Sequence, residues 1–331
     1  MARTMGILLA GTLLLAGLGC AQPVDVVQGN WEGAFTKKAL AGKPVAAQII
    51  AEGRGRYRGL FLVPTDDEAP RIARWITGQA KGDKVLLDGN VDLGEAMGGA
   101  CDVKLQISDG KLKGEFKGKG SPGKFEMTRV EKKSPTLGAK APEGAVVLFD
   151  GTNVDAWVFK KTPWAIVEGG AMEVRPGNMH SKQEFGDAQI HVEFRTPFMP
   201  GARGQARGNS GVYVAGRYEV QVLDSFGLDG RDNECGGIYK KGRPKVNACL
   251  PPLEWQTYDI TYQAPRFDAS GKKTANAVLS VKHNGILIHD KLELDGVCGG
   301  GMSNTEAATG PLWLQDHHNK VQYRNIWVKP L

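Results

Sequence analysis

What this chain lacks narrows it first. Beyond Leu18 no apolar run is long enough to cross a bilayer as a helix. No two cysteines have the C-x-x-C spacing of a structural zinc site. Lys and Arg outnumber Asp and Glu, 42 to 36, yet they nowhere form a dense run. The excess lies in residues 22–142, with 20 basic against 15 acidic side chains, whereas residues 143–331 balance at 21 each. Charge scattered over strand edges and turns reads as a solvated surface, so no nucleic-acid partner is expected. Gly299-Gly300-Gly301 has no strand–helix signature after it, which excludes a phosphate cradle and leaves a loop.

What is present points to strands. The 331 residues suffice for two domains, and 45 glycines with 17 prolines favour many short strands and turns over long helices. Arg3, the apolar run Met5–Leu18 and the small residues after it have the form of a secretory signal over residues 1–21, with cleavage after Ala21. Gly17-Leu18-Gly19-Cys20 partly resembles a lipoprotein box, so a lipid anchor at Cys20 is the alternative fate, and either way an exported protein is expected. Export permits disulfides. Cys101, Cys235, Cys249 and Cys298 allow three connectivities, of which Cys235–Cys249 is favoured because it would close one loop.

In chain order, residues 22–131 read as a small antiparallel all-β accessory domain. Its segments Ala46–Glu52, Tyr57–Val63, Lys84–Asp88, Val103–Ser108 and Lys124–Val130 alternate or run apolar between Gly- and Asn-rich turns, as in a meander closing toward a barrel. Residues 132–145 mix Pro, Gly, Ala and Lys without periodicity and read as a linker. From Val146 about ten further strand signals follow, including an Asn-Gly hairpin at His283-Asn284-Gly285. With no helical periodicity between them, they predict a two-sheet sandwich of the jelly-roll kind over residues 146–331.

The candidate site comes from strand parity, since successive side chains face opposite ways. In the hairpin Asn209–Ser225, Val212, Val214, Tyr218, Val220 and Val222 take apolar faces, leaving Asn209, Tyr213, Glu219 and Gln221 on the others. In Ile190–Arg195 the polar side holds His191, Glu193 and Arg195; in Leu312–His317 it holds Trp313, Gln315 and His317. If these strands share a sheet, one face gathers carboxylates, amides, a guanidinium, an imidazole and aromatic rings, a set suited to a carbohydrate ligand. Blander readings stand beside this one. Glu193 and Arg195 could form a surface ion pair, His191 and His283 could be structural, and Asp224 could cap a turn. Asp316, His317 and His318 suggest metal ligands, but neighbours on a strand point apart.

Across residues 145–331 the chain resembles the 3-keto-disaccharide hydrolase family. The matching pieces are V-L-F-D-G-T-N-V-D-A-W (147–157), F-G-D-A-Q-I-H-V-E-F-R (185–195), N-S-G-V-Y-V (209–214), Y-E-V-Q-V-L-D-S (218–225), G-G-I-Y (236–239), H-N-G (283–285), G-P-L-W-L-Q-D-H (310–317) and Y-R-N-I (323–326). The resemblance implies a concanavalin-like jelly roll acting on sugars oxidised at C3, as hydrolase or as lyase. Two departures stand out. Ala215-Gly216 precede Arg217 where the family often has Arg directly after the N-S-G-V-x-V piece, and His318 stands where Gly is common.

A C3 ketone acidifies the C2 hydrogen, so elimination of the C1 group needs a base, an acid and positive charge near the enolate. Glu219 and His317 are the expected acid–base pair, or alternatively ligands of a divalent metal ion. Arg195 is expected to stabilise the enolate. Gln221, Gln315, Asn209, Tyr239, Trp313 and Glu193 are expected to bind substrate. A direct glycosidase would need two carboxylates flanking the bond, for which Glu193 and Glu219 are the one obvious pair, although the dense E-x-D-x-x-E pattern of related glucanases is missing. A lectin-like module is the non-catalytic alternative.

Overall fold

The structure is a computed structural model describing residues 25–36, 41–62, 75–92, 99–118 and 123–331. The leader expected over residues 1–21, with Cys20, lies outside the described residues.

Eight antiparallel strands come first: Gly29–Phe35, Pro44–Gly53, Arg56–Leu62, Trp75–Lys81, Lys84–Asp92, Ala100–Ser108, Lys111–Gly118 and Gly123–Val130. Each pairs with its sequence neighbour, and the first pairs with the last, so the meander closes into a barrel. Alternation explains what fills the closed barrel. Trp31, Ile49, Phe61, Leu87, Val103, Phe116 and Phe125 all point inward and fill it. The strands Trp75–Lys81 and Lys111–Gly118 escape a reading by periodicity because Gly, Ala, Lys and Thr dilute their apolar side.

The rest of the chain forms two facing sheets. One has five strands in the order Trp157–Phe159, Met179–Phe185, Gly310–Leu314, Ser210–Val214, Tyr218–Val222. The other runs Ala165–Val167, Ala171–Glu173, Gln322–Pro330, Ala188–Arg195, Gln256–Gln263, Ala277–His283, Ile286–Leu294, with Val146–Phe149 also on Gln322–Pro330. Between them Ile190, Val192, Phe194, Val212, Val220, Leu312 and Leu314 build one apolar core. Among the described residues there is no α-helix. The fold is all-β and antiparallel.

Residues 132–145 are no free tether. Ser134 Oγ lies 2.6 Å from Thr257 Oγ1, Thr136 Oγ1 donates to Asp259 Oδ2 at 2.6 Å, and the Gly138 amide donates to Glu193 Oε1. The segment therefore lies along the outer face of the larger sheet. A second seam joins the barrel to the sandwich, where Ile50 and Leu60 meet Phe226.

The expected Cys235–Cys249 disulfide is absent, and both residues carry free, buried thiols. The Cys235 thiol meets the Tyr258 hydroxyl at 3.2 Å, and the Cys249 thiol donates to the Leu250 carbonyl at 3.4 Å.

Candidate functional site

The outer face of the five-stranded sheet carries the candidate site. Ser210–Val214 and Tyr218–Val222 turn about Ala215 and Gly216, both at positive φ (51° and 66°), the two-residue turn that matches strand twist. That turn fixes the register Gly211↔Gln221 and Tyr213↔Glu219. With the valines committed to the core, Tyr213, Glu219 and Gln221 must face outward. Gly211 leaves them room: a Cβ there would sit 2.4 Å from Glu219 Oε1 and 3.0 Å from the Tyr213 ring. Gly310–Leu314 lies next to Ser210–Val214 and continues into Gln315 and His317.

Asn209, Glu219, Gln221, Tyr239, Gln315 and His317 line one cleft of about 320 Å³. Glu219 sits at its floor, 3 % exposed. Burial is the larger influence and pushes its carboxyl up, the hydrogen bond from Tyr213 pulls it back, and the balance is about 7. Tyr213 Oη donates to Glu219 Oε2 at 2.8 Å. Burial, with the carboxylate beside it, pushes the Tyr213 phenol far up, so it stays a donor. Gln315 Nε2 reaches the Tyr213 oxygen at 3.4 Å, while Gln315 Oε1 is buried without a protein partner. The amides form a chain: Gln221 Nε2 donates to Asn209 Oδ1 at 2.8 Å, and Asn209 Nδ2 donates to the Gln205 carbonyl at 2.8 Å. A carboxyl that titrates near neutrality, next to an open acceptor and fixed amides, can move a proton on a polyhydroxylated ligand.

Comparison with known families matches residues 144–329 to the 3-keto-alpha-glucoside-1,2-lyase-like domain. The chain belongs to that family. Among solved structures, a candidate glycosyl hydrolase from Parabacteroides distasonis is 35 % identical, with 58 % of this chain and 85 % of that chain covered at a TM-score of 0.53. A second candidate glycosyl hydrolase from the same organism is 19 % identical, with 57 % of this chain and 94 % of that chain covered at a TM-score of 0.44. A search of curated proteins found no match.

In this lyase-like domain three expected site residues lie elsewhere. The assumption of one shared sheet fails for Ala188–Arg195, which belongs to the larger sheet. Arg195 therefore points away from the cleft, donating to Gln322 Oε1 at 2.7 Å with its guanidinium 4.8 Å from the Trp255 ring centre. Glu193 lies beneath residues 138–139, where Arg324 Nε donates to it at 2.7 Å and Asn325 Nδ2 at 2.9 Å. Trp313 shares the outer face but is 6 % exposed, its ring centre 4.3 Å from that of Tyr213, so it supports the wall without lining the cleft. Arg217 is spent at the hairpin turn on the carbonyls of Ala215, Thr305 and Thr309.

Parity missed Gln205, Lys240 and the Gly299-Gly300 wall, all of which line the cleft of the lyase-like domain. These residues lie outside the regular strands, where a period of two carries no information. Lys240 at φ 58° and Gly300 at φ 83° mark tight loop turns. As for a divalent ion, Glu219 and His317 are the cleft's carboxylate and imidazole, and among the described residues no group of three or more His, Cys, Asp or Glu side chains is placed to hold one. That donor set falls short of a typical metal site.

Proposed function

We propose that the chain is an exported carbohydrate-active enzyme that cleaves glycosides oxidised at C3, working from a concanavalin-like jelly roll. The observation that carries this reading is the buried Glu219 carboxyl, held at about 7 at the floor of a cleft lined by amides. Family membership and the 35 % identical candidate glycosyl hydrolase support it.

In this mechanism Glu219 takes the C2 proton that the neighbouring ketone acidifies. The electron pair of the C–H bond moves into an enolate and then expels the C1 substituent as the C1–O bond breaks. His317, at the rim, gives the departing oxygen its proton. Water adding at C1 of the unsaturated ketone completes a net hydrolysis; without that addition the reaction is a lyase. Gln221, Gln315 and Asn209 orient hydroxyls, with the open Gln315 Oε1 as a ready acceptor, and Tyr239 contributes a side wall. Lys240 takes the place first given to Arg195, bringing positive charge to the enolate from the opposite loop. Direct glycosidase chemistry loses support because Glu219 is the one carboxylate among the described residues lining the cleft, and Glu193 belongs to the other sheet.

The test uses methyl α-glucoside and its 3-keto counterpart, followed by ultraviolet absorbance of the unsaturated ketone and by release of methanol. Turnover of the keto compound alone is expected. Its kcat/KM should rise with pH through about 7, because the base must be ionised. Glu219→Gln should lower kcat roughly a thousandfold while binding persists. Equal turnover of both sugars, or an active Glu219→Gln enzyme, would sink the mechanism. Binding without turnover would make the protein a lectin.

A further inference from the structure

The barrel lies outside the family match, which begins at residue 144, yet it reaches the segment that builds one wall of the cleft. Between Ala188–Arg195 and Ser210–Val214 the chain leaves the sheets as a loop with one short 3-10 turn at Gly204–Ala206. The loop delivers Gln205 and Asn209 to the cleft, joined by the hydrogen bonds from Asn209 Nδ2 to Gln205 O and, at 3.1 Å, Oε1. Arg207, between them, turns the other way and is buried.

The Arg207 guanidinium ties three parts of the molecule together. Nε donates to Asp224 Oδ2 at 2.7 Å, just beyond the strand that carries Glu219 and Gln221. Both terminal nitrogens donate to the Ala51 carbonyl of the barrel at 3.3 Å, and one also reaches the Pro200 carbonyl at 3.4 Å. The Asp224 amide closes the circuit by donating to the Arg207 carbonyl at 3.1 Å. Arg203 adds a second tie, donating to the Glu52 carbonyl at 3.0 Å. Contact at this seam is close: a Cβ on Gly227 would lie 2.6 Å from Ile50 Cδ1, and one on Gly53 would lie 3.2 Å from Gly201. A buried guanidinium needs acceptors around its whole fork, and here part of that set is barrel backbone.

We infer that the barrel is a working part of the site: it supplies the acceptor that lets Arg207, as a positioning residue, hold Gln205 and Asn209 against the cleft. The inference rests on the proposed sugar-binding role of the cleft, but its principal measurement does not need turnover. Hydrogen exchange reads the loop directly, at the amides of Arg207, Asn209 and Asp224, each hydrogen-bonded in the structure.

In the full chain, Arg207→Met and Ile50→Asp should each speed exchange at these amides by about tenfold or more, the second acting purely from the barrel side. With methyl 3-keto-α-glucoside, KM should rise about tenfold while kcat stays within about threefold, since the loop orients substrate and moves no proton. Arg207→Lys should restore part of the lost protection. Arg203→Ala, at an exposed position, should shift exchange the same way by less, which keeps the test open if the buried variants do not fold. Unchanged exchange at the three amides in the folded variants would overturn the inference. Unchanged KM in Ile50→Asp, alongside normal wild-type turnover, would do so too. A wild type that ignores the keto-glucoside would defeat the proposed reaction and leave exchange to decide the buttress.

Discussion

At the scale of single residues, the reading turns on how Glu219 is tuned. Burial raises the carboxyl, and the Tyr213 hydroxyl is the one hydrogen-bond donor that counteracts it. Replacing Tyr213 by Phe keeps the ring against Trp313 and removes only that donor. The proton on Glu219 is then held more tightly, so the acid limb of kcat/KM should move alkaline from about 7, by roughly one unit for a lost charge-assisted hydrogen bond. A pH profile of the Tyr213→Phe enzyme checks this; a limb that stays put, or moves toward acid, would assign the titration to another group. Glu219 and Gln221 could be found from sequence because Val220 and Val222 alternate with them along the strand, and the core leaves those valines only one face to choose.

At the scale of elements, parity identified faces correctly but could not say which strands are neighbours. Ala188–Arg195 and Tyr218–Val222 have the same alternation, and hydrogen-bond pairing alone sends them to different sheets. The polar side of Ala188–Arg195 faces residues 134–139 and forms a buried charge network there. His191 is fully buried, with Nδ1 2.6 Å from Asp259 Oδ1 and Nε2 3.6 Å from Glu193 Oε1. Burial alone would lower its pKa, but the two carboxylates outweigh that and raise it. For Glu193, burial alone would raise the pKa; the nearby His191 ring and the hydrogen bonds from Asn325, the Gly138 amide and Arg324 prevail and hold it at about 2. A carboxylate depressed from the ordinary 4.5 stabilises the fold fully above that pH and loses the contribution as pH falls toward 2. Glu193→Gln should therefore cost about 3 kcal/mol at pH 7 by leaving the buried His191 and the half-buried Arg324 without its charge, and should flatten the acid loss of stability. Urea titrations at pH 7 and pH 3 measure both effects, and turnover should be unaffected because Glu193 is not in the cleft. Equal stability of the two proteins at pH 7 would mean the network contributes nothing.

At the scale of the whole molecule, the sequence pointed to two β-rich regions joined by a linker over residues 132–145. A stretch rich in Pro, Gly, Ala and Lys has the composition of a flexible connection, and composition does not record that Ser134, Thr136 and Gly138 each meet a partner on a distant strand. Nor does periodicity show that Ile50 and Leu60 face Phe226 across 166 residues or more of chain. The apolar seam at Ile50, the Arg207 and Arg203 bonds to the Ala51 and Glu52 carbonyls, and the docked segment at residues 134–139 tie the barrel to the sandwich through several contacts, all of which an independent swing would have to break. Its motion in solution is then that of the particle as a whole. Backbone nitrogen relaxation should give the amides of the barrel and of the sandwich one shared rotational correlation time, that of both together; a shorter time for the barrel would mean that these attachments let go.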